Sequence, residues 1–258
     1  MAMNVNVTKA MILAAGEGTR LKPLTHLTPK TLLPINGTRL ILYILSWLKR
    51  YGVQKIAINI HHLGDQIESC LGDGSRMGIE IYYSPEQALL GTAGGVKKMA
   101  DFFDSTFIVI HGDMLVDFDL SAMVRFHREN KAMATIVLAE VPNPWEYGIA
   151  ETTENSRIVS FVEKPPRGTE PGNLSNGGIY ILEREVLDYI PAQGFCDFGC
   201  DIFPKLIELG LPVYGYNLKP EDYLIDIGTM SKYQKANEDV KARRVKVSPF
   251  PVGVRCKI

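Results

Sequence analysis

The chain has 258 residues, enough for one large α/β domain or two small ones, and its 46% hydrophobic and 22% charged residues describe an ordinary globular protein. With 28 basic against 29 acidic residues the net charge is −1, so no global field draws it to nucleic acid or an anionic membrane, and any phosphate binding must come from a local site. No apolar run approaches the about 18 residues of a membrane span, and the polar N-terminus does not read as a signal peptide.

In chain order the pattern predicts a strand over Lys9–Ala15, a helix over Leu40–Tyr51, a strand over Lys55–Ile60, a helix over Gln66–Leu71 and a strand over Ile79–Tyr83. Gly91–Ala100 starts glycine-rich and turns helical, Phe107–Ile110 reads as a buried strand, Leu120–Asn130 as a helix and Ala134–Ala139 as a strand. This alternation means an α/β fold with a mostly parallel, helix-covered sheet. After Val141 five prolines and short strands at Gly148–Glu151, Ile158–Phe161 and Gly177–Leu182 predict an antiparallel insertion. Helices return at Glu183–Ile190, Ile202–Leu209 and Met230–Arg243, and Val245–Ile258 is a terminal extension. With no internal repeat or low-complexity linker, the chain reads as one domain over 1–244.

The first strand runs into Gly16-Glu-Gly-Thr-Arg20 and on to Lys30, at the strand edge where open α/β sheets bind ligands. Gly16 and Gly18 let the backbone approach phosphate oxygens, Arg20 can fork onto them, and Lys30 adds a compact charge for a different phosphate. Two cations suit a nucleoside triphosphate better than a dinucleotide. The dinucleotide fingerprint is broken, because the sixth position from Gly16 is Leu21, and G-x-x-x-x-G-K-[ST] occurs nowhere.

Gly112-Asp113 follows the strand Phe107–Ile110, which puts the Asp113 carboxylate at the same sheet edge. A hard Mg²⁺ there would be held by one or two carboxylates and by substrate phosphates, and Asp226, in Leu224-Ile-Asp-Ile-Gly-Thr229, is the natural second ligand. The plain alternative is that either aspartate caps a following helix. Asp117 and Asp119 are assigned to the turn and the N-cap of the next helix. Lys164, in Glu163-Lys-Pro165, could hold the phosphate of an acceptor, a solvated Glu-Lys pair being the plain alternative, while Asn176-Gly177 and Gly148 offer an amide and close backbone approach to sugar hydroxyls. Glycine bulges are the alternative reading for both. The four cysteines, Cys70, Cys196, Cys200 and Cys256, contain no C-x-x-C, so free thiols in a reducing cytoplasm are expected. His61-His62 reads as loop histidines, Tyr43 and Trp47 as helix packing face, and Asp197-Phe-Gly199 as the start of the helix near Ile202.

Gly16–Lys30, Leu90-Gly-Thr-Ala-Gly-Gly95, Gly112-Asp113, Glu163-Lys-Pro165, Asn176–Tyr180 and Asp226–Thr229, in this order, resemble the sugar-1-phosphate nucleotidylyltransferases over residues 9 to about 240. The resemblance implies a three-layer Rossmann-like nucleotidyltransferase fold, with a nucleotide-binding half over about 9–140 and a sugar-binding part over about 141–228. It implies that an NTP and a sugar 1-phosphate give an NDP-sugar and pyrophosphate with Mg²⁺. Homo-oligomers are usual in the family.

Carried over, Arg20 would hold the triphosphate, Lys30 would neutralise the α-phosphate and Lys164 would grip the sugar phosphate. Asp113 and Asp226 would hold the metal, and Gly148, Glu163, Asn176 and Gly177 would contact the sugar. Leu13, Ala14, Gly16, Glu17, Gly18, Thr19, Gln87, Gly91, Thr92 and Gly112 would surround the nucleotide. The segment Ser84–Gly95 looks nearest to mannose-1-phosphate guanylyltransferases and to uridylyl relatives, which leans the expectation to GTP. The alternatives are uridylyl or thymidylyl transfer to glucose or amino-sugar 1-phosphates, or a silent nucleotide-sugar-sensing subunit. Sensing alone would not need both cations and both carboxylates. Some relatives add a C-terminal domain of hexapeptide repeats, which this sequence does not contain.

Overall fold

A computed structural model describes residues 7–169 and 172–250. In chain order the elements are β1 (Lys9–Leu13), β2 (Pro34–Ile35), β3 (Thr38–Arg39), α1 (Leu40–Arg50), β4 (Lys55–Ile60), α2 (Gly64–Leu71), β5 (Glu80–Pro85), α3 (Gly91–Lys98), β6 (Phe107–His111) and β7 (Met114–Asp117). There follow α4 (Leu120–Glu129), β8 (Ala134–Glu140), β9 (Gly148–Thr152), β10 (Ile158–Glu163), β11 (Leu174–Leu182), α5 (Phe203–Glu208), β12 (Val213–Asn217), β13 (Tyr223–Asp226) and α6 (Met230–Lys241). The fold is α/β with a mixed, mostly parallel central sheet, as the alternation of the first half predicts. Among the described residues no helix is long and apolar enough to cross a membrane.

The chain divides into two compact units: residues 1–89, 110–120 and 221–258 form the first, residues 90–109 and 121–220 the second. These borders differ from a cut near residue 140. The chain changes unit inside β6, and β13 pairs with β7, which returns Asp226 to the first unit.

In the first unit β1, β4 and β5 are parallel, with Lys9 opposite Lys55 and Lys55 opposite Glu80. Ala10, Met11, Ile12, Ile56, Ala57 and Ile58 are fully buried, which is why these strands read as unbroken apolar runs. Helix α1 is buried through Trp47 and Tyr43, and each polar tip finds a carbonyl: Trp47 Nε1 donates to Phe118 O at 3.1 Å and Tyr43 OH to Ile35 O at 3.1 Å. The hairpin β2–β3 turns at Asn36-Gly37, both in the left-handed region (φ 46° and 82°), a pairing the apolar pattern does not announce.

Asp117 is not a turn residue. It ends β7 and accepts the backbone N–H groups of Lys246 (2.5 Å) and Val247 (2.9 Å), so the segment after α6 is tied down, with Val245 and Val247 buried. Asp119 immediately precedes α4, as expected. Of the extension, residues 251–258 lie outside the described residues, and so does Cys256. Cys70, buried on α2, is disulfide-bonded, so the expectation of free thiols holds only for Cys196 and Cys200.

In the second unit the expected antiparallel insertion is present, with β9 between β10 and β11 and β11 also antiparallel to β8. β12 joins β8 in parallel. Tyr180, Phe198 and Phe203 form its aromatic core, with ring centroids 5.0 to 5.4 Å apart. His127, fully buried, links Thr135 Oγ1 (2.7 Å) to Glu183 (2.9 Å), and Thr106 donates to the same carboxylate at 2.9 Å. Burial pushes the His127 imidazole below its ordinary range although Glu183 pulls the other way.

The helix expected at Glu183–Ile190 is a 3₁₀ turn over Arg184–Tyr189. Its turns close through i→i+3 bonds, Val186 N–H to Glu183 O at 3.0 Å and Ile190 N–H to Leu187 O at 3.3 Å, and the Leu187 carbonyl also accepts from Lys97 Nζ at 2.8 Å. The helix expected from Ile202 is preceded by a π-turn over Phe198–Ile202, which Asp197 caps through Gly199 N–H (2.9 Å).

Candidate functional site

The predicted residues divide between the units. Leu13 to Lys30, Gln87, Gly112, Asp113 and Asp226 lie in the first; Gly91, Thr92, Gly148, Glu163, Lys164, Asn176 and Gly177 lie in the second.

In the first unit the glycine loop leaves β1 directly. Gly112 N–H donates to Leu13 O at 2.8 Å, so Gly112-Asp113 leaves β6 beside the end of β1. Ala14 N–H donates to Asn59 Oδ1 at 2.8 Å, and Asn59 Nδ2 donates to Glu86 Oε1 at 2.8 Å. This buried pair ties the loop to the segment carrying the exposed Gln87. Gly18 (φ 64°) caps the 3₁₀ turn Thr19–Leu21, and its carbonyl accepts from Thr25 Oγ1 at 2.9 Å. Gly16 has no positive φ, and a Cβ there would meet nothing within 4 Å. Nothing in the protein's own packing demands glycine at 16, as expected where the close approach is made by a ligand.

Asp113 and Asp226 sit at one end of the antiparallel β7–β13 pair. Asp226 is opposite Met114, and Ile227 N–H donates to Asp113 O at 2.9 Å. Neither caps a helix: Asp113 is followed by β7, and the N-cap of α6 is Thr229. Each carboxylate carries a lysine, Lys30 on Asp113 and Lys232 on Asp226. Burial resists charge on Asp113, but Lys30 and His111 outweigh it and hold the carboxyl below its ordinary range. Asp226 Oδ1 also accepts from Gly228 N–H at 2.9 Å. The Arg20 guanidinium lies against Gly228, where a Cβ would stand 3.2 Å from Nη2. Three cations thus surround two carboxylates, a surplus of positive charge suited to a polyanion.

The donor set fits a hard divalent ion. Among the described residues no cluster of three or more His, Cys, Asp or Glu exists, and two carboxylates are what a Mg²⁺ completed by water and phosphate needs. His61 and His62 contact the carbonyls of Glu86 (2.8 Å) and Thr25 (3.2 Å), so they position loops.

In the second unit Glu163 is opposite Gly148 across β9–β10, and its Oε2 lies 2.5 Å from where a Gly148 Cβ would stand and 2.7 Å from a Gly199 Cβ. Burial raises the Glu163 carboxyl above its ordinary range, Lys164 opposes this, and Asp197 adds to it. Lys164, at φ 48°, is 67% exposed with Nζ 3.7 Å from Glu163. Asn176 Oδ1 accepts from Gly178 N–H at 2.9 Å and its Nδ2 donates to Tyr180 OH at 3.0 Å, inside a register shift of β11. The bulge reading of Asn176-Gly177 therefore holds locally.

Gly91 and Thr92 have structural employment. The Cys196 carbonyl accepts the N–H groups of Ala93 and Gly94, both at 3.0 Å, and Thr92 Oγ1 donates to Asp197 at 2.8 Å. Gly91 has φ 77°, and a Cβ there would overlap the Cys196 carbonyl oxygen. Gly91→Ala is expected to cost about 2–4 kcal/mol, read as a lowered urea midpoint with unchanged slope. A midpoint equal to wild type would show that α3 can shift away from Cys196.

The sequence reading omits Asn59, Glu86, Gly199 and Lys232. Only Asn59 leaves a signal, a buried amide inside an apolar strand.

A nucleotidyl transferase family model matches residues 9–243. The chain is 42% identical over 257 residues to a UTP–glucose-1-phosphate uridylyltransferase of Synechocystis sp., covering 94% of this chain and 66% of that protein. It is 33% identical over 255 residues to a mannose-1-phosphate guanylyltransferase of Mycobacterium tuberculosis, covering 98% of this chain and 70% of the relative. Among solved structures, a Bacillus anthracis protein crystallised with sucrose and named for glucose-1-phosphate thymidylyl transfer superposes with a TM-score of 0.79 at 29% identity, covering 89% of this chain and 94% of the other.

Proposed function

Because the chain belongs to the nucleotidyl transferase family, among the sugar-1-phosphate nucleotidylyltransferases, we propose that it joins a nucleoside triphosphate to a sugar 1-phosphate, releasing pyrophosphate. The observation that carries this is the end of the β7–β13 pair, where Asp113 and Asp226, each holding a lysine, stand with Arg20 beside Gly228. A phosphate oxygen of the sugar 1-phosphate attacks the α-phosphorus as the bond to the bridging oxygen of pyrophosphate breaks. The nucleophile is already anionic at neutral pH, so no general base is needed, and the residues act by positioning and neutralisation.

Lys30 neutralises the α-phosphate, and Arg20 stabilises the departing pyrophosphate. Asp113 and Asp226 would hold Mg²⁺, which supplies Lewis-acid neutralisation of the phosphate oxygens. Gly16 to Thr19 line the phosphates, and Gln87, beside the anchored Glu86, faces the base. Lys164 takes the sugar phosphate, while the Glu163 carboxylate, between Gly148 and Gly199, accepts sugar hydroxyls.

The 42% identity to a uridylyltransferase supports UTP with glucose 1-phosphate as the first pair to test. The 33% identity to a guanylyltransferase, together with the segment Ser84–Gly95, supports GTP with mannose 1-phosphate as the second. Pyrophosphate release with Mg²⁺ is to be measured over the common NTPs and dTTP against glucose, mannose, N-acetylglucosamine and heptose 1-phosphates. Release requiring one NTP and one sugar phosphate together is expected. Silence throughout from folded protein that binds NTP would replace the enzyme by a sensing subunit.

A further inference from the structure

Lys232 is absent from every motif above, yet its ammonium holds Asp226. It stands three residues after the N-cap Thr229 in the first turn of α6, where the helix dipole disfavours a cation. Its backbone N–H bonds to Thr229 Oγ1 at 3.4 Å, so the chain is fixed there and the side chain is aimed at the carboxylate. Asp226 already accepts the Gly228 N–H and has Arg20 close by, so Lys232 brings more positive charge than one carboxylate requires. The pair Lys30–Asp113 repeats the arrangement at the other carboxylate of this strand-pair end.

From this, and resting on the proposed function, we infer that Lys232 has two positions in the reaction. Without metal it is the counter-ion that holds the Asp226 carboxylate in place. A divalent ion held by Asp226 would repel an ammonium on the same carboxylate, and in this inference Lys232 swings away from it. The displaced ammonium, on a flexible four-carbon stem, then pairs with the β- and γ-phosphates and joins Arg20 in neutralising the leaving pyrophosphate. Lys232 is thus a second leaving-group cation for this chain, beside Arg20.

The test is Lys232→Met, which removes the charge at similar length. Its partly exposed position makes folding of the variant the expected outcome. Two binding measurements are made on the full chain: Mn²⁺ alone by paramagnetic titration, and inorganic pyrophosphate with Mn²⁺ by calorimetry. Without the competing ammonium, Mn²⁺ alone should bind about fivefold more tightly; without the leaving-group cation, pyrophosphate should bind about tenfold more weakly. Lys232→Arg should keep pyrophosphate affinity within about threefold of wild type. A residue that only anchors α6 could not move the two affinities in opposite directions. Unchanged Mn²⁺ affinity, unchanged pyrophosphate affinity, or joint loss of both with a lowered melting temperature would each overturn the inference. Neither arm needs an identified sugar, so an unsuccessful substrate search leaves both readable. Wild-type protein that binds neither probe would overturn the proposed function itself.

Discussion

Asp113→Asn is expected to lower turnover by about a thousandfold or more while the protein stays folded. Asparagine keeps the shape of the side chain and removes the charge, so the loss reads the carboxylate. Two effects combine. A hard divalent ion loses one of two protein ligands, and Lys30, only 14% exposed, loses its counter-ion. The second effect should also cost stability, about 1–3 kcal/mol, because a largely buried ammonium is left facing a neutral amide. The measurements are pyrophosphate release against Mg²⁺ concentration and urea unfolding without metal. The Mg²⁺ requirement should move to higher concentration with incomplete recovery of rate. Turnover within tenfold of wild type at ordinary Mg²⁺ would remove Asp113 from the metal site.

The reach of the sequence can be judged from the same pair of strands. The position of Asp113 is legible because an unbroken apolar strand ends just before it, and the loop from Gly16 to Lys30 because its candidate phosphate-binding residues lie in one short segment. β7 and β13 are not, since each has four residues and its partner lies far along the chain. That long-range pairing brings Asp226 to Asp113 and assigns residues 221–228 to the first unit rather than to the insertion. Asp117 was misplaced for a related reason: its partners, Lys246 and Val247, come from a tail without periodicity. Gly91 and Thr92 carry a recognisable motif, but a motif does not tell backbone geometry set by Cys196 from contact with a base. Lys232 is invisible to pattern because a lysine in a polar helix ordinarily faces solvent; only the coordinates connect it to Asp226.

Arg20→Ala should reduce turnover by about a thousandfold, with a smaller change in NTP affinity and stability within about 0.5 kcal/mol of wild type. The side chain is exposed on a short 3₁₀ turn, so it contributes little to folding. Its guanidinium lies beside Gly228, close to Asp226, and in the proposed reaction it meets the charge that accumulates on the leaving oxygen as the bond to the α-phosphorus breaks. An interaction that strengthens only as that charge develops lowers kcat rather than binding. Arg20→Lys should recover part of the rate, because one ammonium supplies charge without the fork. Gly228→Ala provides a check that leaves Arg20 in place. The new Cβ would stand 2.5 Å from Asp226 Oδ1 and 3.2 Å from Arg20 Nη2, so one of the two must move. A loss of about tenfold in kcat is expected, since a misplaced group retains part of its effect. Normal turnover in Arg20→Ala would transfer the leaving-group role to Lys30 and Lys232. Normal turnover in Gly228→Ala alone would show that the guanidinium acts from another rotamer.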